Sequence, residues 1–348
     1  MNMFNTRTMM GIVEEGRKDN PTFFRDTFFK NRRTFDTARI DFDIVGAGNK
    51  KIAPFVNPKV GGVAIDREGY RTESYEAPEV SPERITTAED MLKRSAGETI
   101  YSAKSPNQRA AEQLGEDLRY LDEIITRREE VMCAEALFNG QVTVKGEGYD
   151  EVINYWNTED KPVETALWLA DDYTAADIRA DIRAMRRKMI KKGGFNPTQL
   201  ICGVDVAETL LGKLSEDKTL DMLHVNNGQI DVRHLSNGLT YYGFLKDAGI
   251  DIYGYDSYYV DIDGTEKPFV PANKALLVAP GAQTTMAYGL VTLFNEQDKS
   301  MRLFEGDRVP DSWVQRKNPA GRIVQIKSRP LPIINQIYGF RVITATKA

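Results

Sequence analysis

The stretch that decides the fold is residues 105–140, SPNQRAAEQLGEDLRYLDEIITRREEVMCAEALFNG. Ser105 can accept a hydrogen bond from a first-turn backbone N–H, and Pro106 suits the first helical position because its missing N–H would have no partner there. Asn139 and Gly140 tolerate the left-handed conformation that ends many helices. The pattern predicts one helix roughly 50 Å long, far above the average of about 11–12 residues.

Apolar residues recur along this helix at steps of three, four and seven, which places them on one face. They are the predicted core contacts of the helix, Leu114, Leu118, Leu121, Ile125 and Met132. The opposite face is charged and is interpreted as solvated, with Glu112, Glu116, Arg119, Glu123, Arg127 and Glu130 on it. Because Arg128 interrupts the stripe, we expect a helix that spans a flat body rather than a sustained coiled coil.

Size and composition are those of a folded protein. The 348 residues suggest two domains or one large one, and 41% apolar with 28% charged residues is ordinary for a soluble chain. No apolar run approaches the ~18–20 residues of a membrane helix, and the first ten residues lack the apolar core of a signal peptide, so we expect synthesis in the cytoplasm and no membrane partner. Cys133 and Cys202 are interpreted as buried apolar residues in a reducing compartment.

The N-terminal segment, residues 1–34, resembles an arm. It contains four clustered phenylalanines that need a surface on this chain or on a neighbour, Phe23, Phe24, Phe28 and Phe29. Its basic residues are expected to be solvated or paired with acidic neighbours, although they could contact phosphates; they are Arg25, Lys30, Arg32 and Arg33.

Residues 35–75 predict a strand, a long glycine- and proline-rich loop, and a second strand. Ile40, Phe42 and Ile44 alternate with polar residues and should face one way. A loop of this length is typical of a segment that clasps a partner. Phe55 and Val56 pack either within this loop or, together with the four phenylalanines of the arm, between subunits.

The middle and the tail predict a second α/β region followed by strands. Thr174 and Asp177 form a capping-box pattern before an apolar stripe at helical spacing, Ile178, Ile182, Met185 and Met189. The basic residues of this helix are interpreted as a solvated face, with nucleic-acid binding as the alternative; they include Arg179, Arg183, Arg186 and Arg187. The strand-rich C-terminal tail is expected to pair back with the first body region, which would make that domain discontinuous.

No catalytic or metal-binding pattern is present. The only histidines, His224 and His234, have no partner at metal-ligand spacing, and the sequence lacks nucleotide-binding and nucleophile motifs. We therefore predict no enzymatic activity, catalytic residue, cofactor or metal.

The order of these parts resembles the major capsid proteins of lambda-like tailed bacteriophages. The stretches that carry the resemblance are PTFFRDTFFKNRRTFDTARIDFD, IAPFVNPKVGG and APEVSPERITTAEDML, followed by the long helix. The resemblance implies an α+β fold of the Hong Kong 97 type: residues 1–34 as N-arm, 35–75 as extended loop, 76–155 and 306–348 as peripheral domain with spine helix 105–140, and 156–305 as axial domain.

The resemblance also implies a function in a phage or prophage head. The chain would assemble with itself into hexamers and pentamers of an icosahedral shell around double-stranded DNA bound without sequence specificity. Portal and scaffolding proteins would be its partners, as would a decoration protein in some heads. The protein would be in the host cytoplasm during assembly and in the virion afterwards. The alternatives are an encapsulin-like storage shell, an oligomeric enzyme that dimerises through its loop, and a nucleic-acid-binding protein.

Overall fold

The computed structural model describes residues 4, 6–16, 22–45, 70–87, 89–90, 105–146, 149–156, 161–216, 220–221, 233–234, 238–295, 299–317 and 320–347. These residues form helices and strands grouped in two compact units. The first unit comprises residues 1–40, 74–133 and 285–332, and the second comprises residues 41–73, 134–284 and 333–348. The loop between residues 46 and 69, which includes Phe55 and Val56, lies outside the described residues, as does His224.

The long helix α3, Pro106–Asn139, has the start and the end that its sequence predicts. The Ser105 hydroxyl accepts a hydrogen bond from the backbone N–H of Gln108 at 3.3 Å, and the Gln108 side chain accepts one from the backbone N–H of Ser105 at 2.9 Å. Gly140 follows with φ +62°, and a Cβ there would overlap the Trp156 ring, so glycine is required both by conformation and by space.

Other elements of the first unit precede and follow α3 in the chain. The helices are α1, Thr6–Gly16, and α2, Phe24–Thr27. The strands that lie wholly or mostly in this unit are β1 Asn31–Thr34, β4 Glu83–Thr87, β16 Thr284–Tyr288, β17 Val291–Asn295, β18 Ser300–Phe304, β19 Val309–Gln315, β20 Gly321–Lys327 and β21 Pro330–Ile334. They form two three-stranded sheets, β1–β16–β21 and β19–β20–β4, and the hairpin β17–β18.

The core of the first unit lies where α1 and the sheet β19–β20–β4 pack on the predicted apolar stripe of α3. Leu114, Leu118, Leu121 and Ile125 are buried there against Met9, Val13, Val324 and Ile326. Met132 of α3 is buried as well. Strands β2, Arg39–Val45, and β3, Tyr70–Glu76, pair with each other. Ile40, Phe42 and Ile44 of β2 are each buried, as their alternation with polar residues predicts.

The second unit is built on a sheet of eight strands in the order β10–β11–β12–β8–β15–β22–β7, with β9 also paired to β11. The strands are β7 Val163–Ala166, β8 Gln199–Cys202, β9 Leu220–Asp221, β10 Arg233–His234, β11 Leu239–Leu245, β12 Ile250–Tyr255, β15 Lys274–Val278 and β22 Phe340–Ala345. Helices α4, Ala175–Gly193, and α5, Val204–Glu216, pack on it. The hairpins β5–β6, Gln141–Gly146 with Tyr149–Asn154, and β13–β14, Tyr258–Val260 with Glu266–Pro268, complete this unit.

The C-terminal tail divides between the two units. Strand β20 pairs with β4, so this part of the tail returns to the first body region as expected. Strand β22 instead pairs with β15 and β7 in the sheet of the second unit. Residues 306–348 therefore contribute strands to both units, and β22 is largely buried within the larger sheet.

Candidate functional site: the joint between the N-terminal segment and the long helix

Helix α2 is a single turn whose first backbone N–H groups are bound by a carboxylate of α3. The N–H groups of Phe23, Phe24 and Arg25 donate hydrogen bonds to Glu130 at 3.0, 2.7 and 2.9 Å. The first backbone N–H groups of an α-helix have no partner within the helix, and the partial positive charge at that end favours an anion. Glu130 therefore fixes the start of α2 onto the C-terminal third of α3.

A second contact is made by the Arg25 side chain, which is buried. Its guanidinium donates to Glu129 at 3.0 Å and to the Thr126 hydroxyl at 3.3 Å, and it also pairs with Asp26 at 3.1 Å. Asp26 in turn accepts hydrogen bonds from the backbone N–H and the hydroxyl of Thr22 and pairs with Arg32 at 3.1 Å. The segment from residue 22 to residue 32 is thus held by its own polar groups as well as by α3.

Arg308 reaches the same carboxylate from the loop between β18 and β19. Its two terminal nitrogens donate to both oxygens of Glu129, at 2.6 and 2.9 Å, and its Nε donates to Asp122 at 2.6 Å. Thr126 and Ser328 each accept a further bond from it at 3.3 Å. A two-pronged guanidinium–carboxylate contact of this kind has a fixed geometry. Glu129 therefore sits between two arginines from different parts of the chain.

Burial changes the acid–base properties of the two adjacent glutamates in opposite directions. Burial disfavours the charged form of Glu129, but the attraction of Arg308 and Arg25 outweighs it, so the pKa of Glu129 is lowered. Burial raises the pKa of Glu130 above its ordinary value, because its three backbone hydrogen bonds and Arg25 offset that effect only in part. Glu129 is thus the charged centre of the cluster.

The sequence interpretation places Glu130 on the solvated, charged face of the long helix, and that interpretation is wrong because Glu130 is buried. Arg25 is 2% exposed and Glu130 is 1% exposed. Helical periodicity places Glu130 on the charged face, but α2 covers that face at this point. The prediction that the basic residues of the arm pair with acidic neighbours is confirmed for Arg25 and Arg32.

The joint also buries part of the aromatic cluster. Phe24 and Phe29 have no exposed surface within this one chain. Phe23 and Phe28 are only partly buried, and their ring centroids are 5.8 Å apart in an edge-to-face arrangement. Phe23 also contacts Phe24, with ring centroids 5.1 Å apart.

Sequence reasoning missed Asp122, Glu129 and Arg308. In the chain, Glu129 lies 104 residues from Arg25 and 179 from Arg308, so no local spacing connects them. One signal was present: Asp122 and Glu129 are seven residues apart, on a side of the helix flanked by the apolar stripe. Acidic residues beside an apolar stripe are candidates for buried pairing when arginines elsewhere can reach them.

The remaining predicted positions are located as follows. Cys133 and Cys202 are both buried and free, as expected, and burial raises the pKa of each thiol. Within the described ranges, no group of three or more histidine, cysteine, aspartate or glutamate side chains could hold a metal ion. No described helix is long and apolar enough to cross a membrane.

Comparison with known proteins decides the family. Residues 5–344 match the family described as phage major capsid protein E. The chain belongs to the phage major capsid protein E family. It is 24% identical over 340 residues to the major capsid protein of Escherichia phage lambda, with 96% of each chain covered. It is 23% identical over 341 residues to the P21 prophage-derived major head protein of Escherichia coli O6:H1, again with 96% of each covered.

The fold of this capsid protein agrees with that family. A crystal structure of a candidate capsid protein from an E. coli CFT073 prophage superposes with a TM-score of 0.72 at 20% identity, covering 98% of this chain and 99% of the other. The predicted α+β phage capsid fold with its spine helix is therefore confirmed, and α3 is that helix. The chain is a major capsid protein of a lambda-like phage or prophage.

Proposed function

We propose that this capsid protein forms the hexamers and pentamers of an icosahedral head that encloses double-stranded DNA. The observation that supports the proposal is the joint at Glu129 and Glu130. It holds residues 23–25 of the N-terminal segment on the spine helix. A subunit that presents an arm in a fixed direction makes contacts between different surfaces of neighbouring copies, and such contacts form rings when the rotation between copies closes.

We assign the peripheral domain to the unit with residues 74–133 and 285–332 and the axial domain to the unit with residues 134–284 and 333–348. This assignment follows the sheets rather than chain order, since the tail strands β20 and β22 belong to different sheets. Residues 1–34 remain the proposed N-arm and residues 35–75 the proposed extended loop.

For the contacts between subunits we propose Phe23 and Phe28 on the arm together with Phe55 and Val56 on the loop. Phe23 and Phe28 keep exposed surface although they lie beside a fully buried cluster. Aromatic side chains of this kind contribute most to an interface when a partner covers them.

The other proposed partners follow from the role of a capsid subunit. We propose that portal and scaffolding proteins, and in some heads a decoration protein, bind the assembling shell in the host cytoplasm, and that the protein then resides in the virion. DNA is bound without sequence specificity. We propose no enzymatic activity and no cofactor for a subunit of this class.

The first experiment is negative-stain microscopy with light scattering on the purified chain, alone and co-expressed with the products of its neighbouring genes. Shells, or rings of five and six subunits, are the expected result. A monodisperse dimer under all conditions would reject the proposal in favour of an oligomeric enzyme. Shells that contain an enzyme and no DNA would identify a storage compartment instead.

A second experiment tests the arm without removing its buried anchor. Deletion of residues 1–34 would also remove Met9, Val13, Phe24 and Arg25, which are buried in the first unit. The sharper variants are Phe23→Ala with Phe28→Ala and, separately, deletion of residues 46–70. Assembly should be lost while the circular dichroism spectrum and the melting temperature of the unassembled chain are retained. Normal shells from both variants would contradict the assigned contacts.

A further inference from the structure

Helix α4 carries a concentration of positive charge, and only part of it is paired with other segments of the fold. Its 19 residues contain seven basic side chains and two acidic ones, in a chain whose net charge is −5. The buried residues Ile178, Ile182, Met185 and Met189 form the opposite face and pack in the core of the second unit. The basic residues therefore occupy the outer face of an otherwise ordinary amphipathic helix.

Both acidic side chains of α4 are engaged elsewhere. Asp177 forms the capping box with Thr174 at the start of the helix. Asp181 accepts hydrogen bonds from the Trp168 indole at 3.0 Å and from the Tyr173 hydroxyl at 2.6 Å. Neither of them forms a salt bridge with the basic residues of α4 in the part of the chain that the structure describes.

The basic residues at the edges of this face do have partners from other segments. Arg179 pairs with Asp247 at 3.4 Å, Arg186 donates to the carbonyl of Ala248 at 2.6 Å, and Lys188 pairs with Glu164 at 2.9 Å. These residues are held by the fold.

Arg183 and Arg187, at the centre, are different. Both are exposed, and within the described ranges neither lies within salt-bridge distance of a carboxylate. Arg187 Nε donates a hydrogen bond to the backbone carbonyl of Arg183 at 3.3 Å, which uses one of the five guanidinium N–H groups of Arg187. Like charges four residues apart on a helix repel each other, so an external anion would stabilise this arrangement.

We propose that the exposed face of α4 centred on Arg183 and Arg187 binds the phosphate backbone of the packaged double-stranded DNA. The inference rests on the proposed function and adds the surface that contacts the DNA. The two arginines are about 6 Å apart along the helix axis, and duplex DNA carries one phosphate charge per roughly 1.7 Å, so each guanidinium can meet its own phosphate. Arginine binds phosphate through two parallel N–H groups, and such contacts position the protein without reading sequence.

The test is fluorescence anisotropy with the full-length, unassembled chain and a labelled duplex of random sequence, titrated at several salt concentrations between about 50 and 200 mM. The slope of log affinity against log salt reports the number of phosphate contacts, at about 0.9 per contact. The variant Arg183→Gln with Arg187→Gln should reduce that slope by about 1.8. The fall in affinity over this salt range should then be about twelvefold smaller than in the wild type.

The matched control is Arg316→Gln with Lys317→Gln, which removes the same two charges from an exposed turn of the first unit. The control should keep the wild-type slope. An equal reduction by both variants would show an effect of net charge alone and would overturn the proposal, as would an unchanged slope in the α4 variant. Circular dichroism verifies that both variants fold.

Microscopy of the same variants separates this inference from the proposed function. Shells from both variants, with the altered slope confined to the α4 variant, support both. Shells from both with no dependence on Arg183 and Arg187 reject only the DNA contact. Loss of shells in the α4 variant with an unchanged DNA slope would instead assign this face to an acidic surface of a second copy.

Discussion

Two helix attachments in this protein are built in opposite ways. In the first unit, α2 is attached to α3 largely through buried charges, with Glu129 between Arg25 and Arg308. In the second unit, α4 is attached to its sheet through a buried apolar stripe, and its ion pairs lie at the edges. The attachment of α2 depends on fixed hydrogen-bond geometry, so losing one charged partner should destabilise it strongly. The attachment of α4 depends on buried apolar area, so losing one polar contact should cost little.

The physical reason is the cost of desolvation. A buried ion pair offsets the loss of hydration only when its geometry is good and every remaining hydrogen-bonding group is satisfied. The cluster meets this condition, since Asp122, Thr126 and Ser328 complete the bonds of Arg308. An apolar stripe does not require matched hydrogen-bond geometry, because the hydrophobic effect is roughly proportional to the buried area and has no direction. We infer that the charged joint specifies one position for the arm.

The largest effect is expected from breaking the charged attachment. Arg308→Leu leaves the carboxylates of Asp122 and Glu129 buried without their main partner. Loss of one partner of a buried pair costs about 3–5 kcal/mol. Urea unfolding of the unassembled chain, followed by tryptophan fluorescence, measures this change.

The control for this variant is Arg316→Leu, at an exposed position of the same unit, where a change within about 0.5 kcal/mol is expected. Hydrogen exchange should also increase in residues 22–29 of the Arg308 variant, because Glu129, which pairs with Arg25 of α2, loses its contact with Arg308. A destabilisation below about 1 kcal/mol would show that the cluster is not desolvated as its burial indicates.

The two attachments also differ in how much of each could be predicted from the sequence. The ends and the buried face of α4 were predictable, because the capping residues Thr174 and Asp177, the apolar stripe and the glycine after the helix are all local signals. The structure has the capping box and places Gly194 at φ 76°. The apolar stripe of α3 and its two ends were predictable for the same reason.

The charged joint was not predictable, because its geometry depends on residues far apart in the chain. Glu130 has the periodicity of a surface residue, and only the position of α2 buries it. The same holds for Phe24 and Phe29, whose burial depends on where residues 22–29 dock. The division of the C-terminal strands between two sheets is also a non-local result, since β20 and β22 have similar apolar patterns.

The adjacent glutamates give a pH test of the joint. Glu129 has a lowered pKa, so its contribution to stability is complete above its ordinary value of 4.5 and is lost as pH falls through the lower folded-state value. Glu130 has a raised pKa, so its contribution is complete below 4.5 and is lost as pH rises through the raised value. The two residues therefore change the pH dependence of stability with opposite signs.

Glu129→Gln should flatten the loss of stability below pH 4.5, by up to about 1.4 kcal/mol per pH unit. As the pH falls towards 4.5, the folded state gains stability because Glu130 takes up a proton there before the unfolded state does. Glu130→Gln removes this gain, so stability should fall more steeply on acidification just above pH 4.5. Unfolding free energies across the acidic range check both slopes. Parallel curves for the two variants would mean that the glutamates share one environment.

A smaller effect is expected at the start of α4. Thr174→Ala removes the hydroxyl that accepts the N–H of Asp177 and should cost about 1 kcal/mol, while Thr174→Ser should retain most of the stability. The same urea experiment measures it. If Thr174→Ala matched Arg308→Leu in its effect, the two attachments would not differ in vulnerability as we infer.

The smallest effect is expected at the exposed face of α3, where Glu123 and Arg127 form a pair at 3.1 Å one turn apart. Both side chains are nearly half exposed, at 44% and 46%, so water and salt screen their attraction. Arg127→Ala should change the free energy of unfolding by about 0.3–0.5 kcal/mol, and added salt should remove most of that difference. Since Glu123 and Glu129 lie on the same helix, this pair measures what burial alone adds to a glutamate–arginine contact. Equal costs for Arg127→Ala and Arg308→Leu would contradict the view that burial, and not the ion pair itself, makes the joint vulnerable.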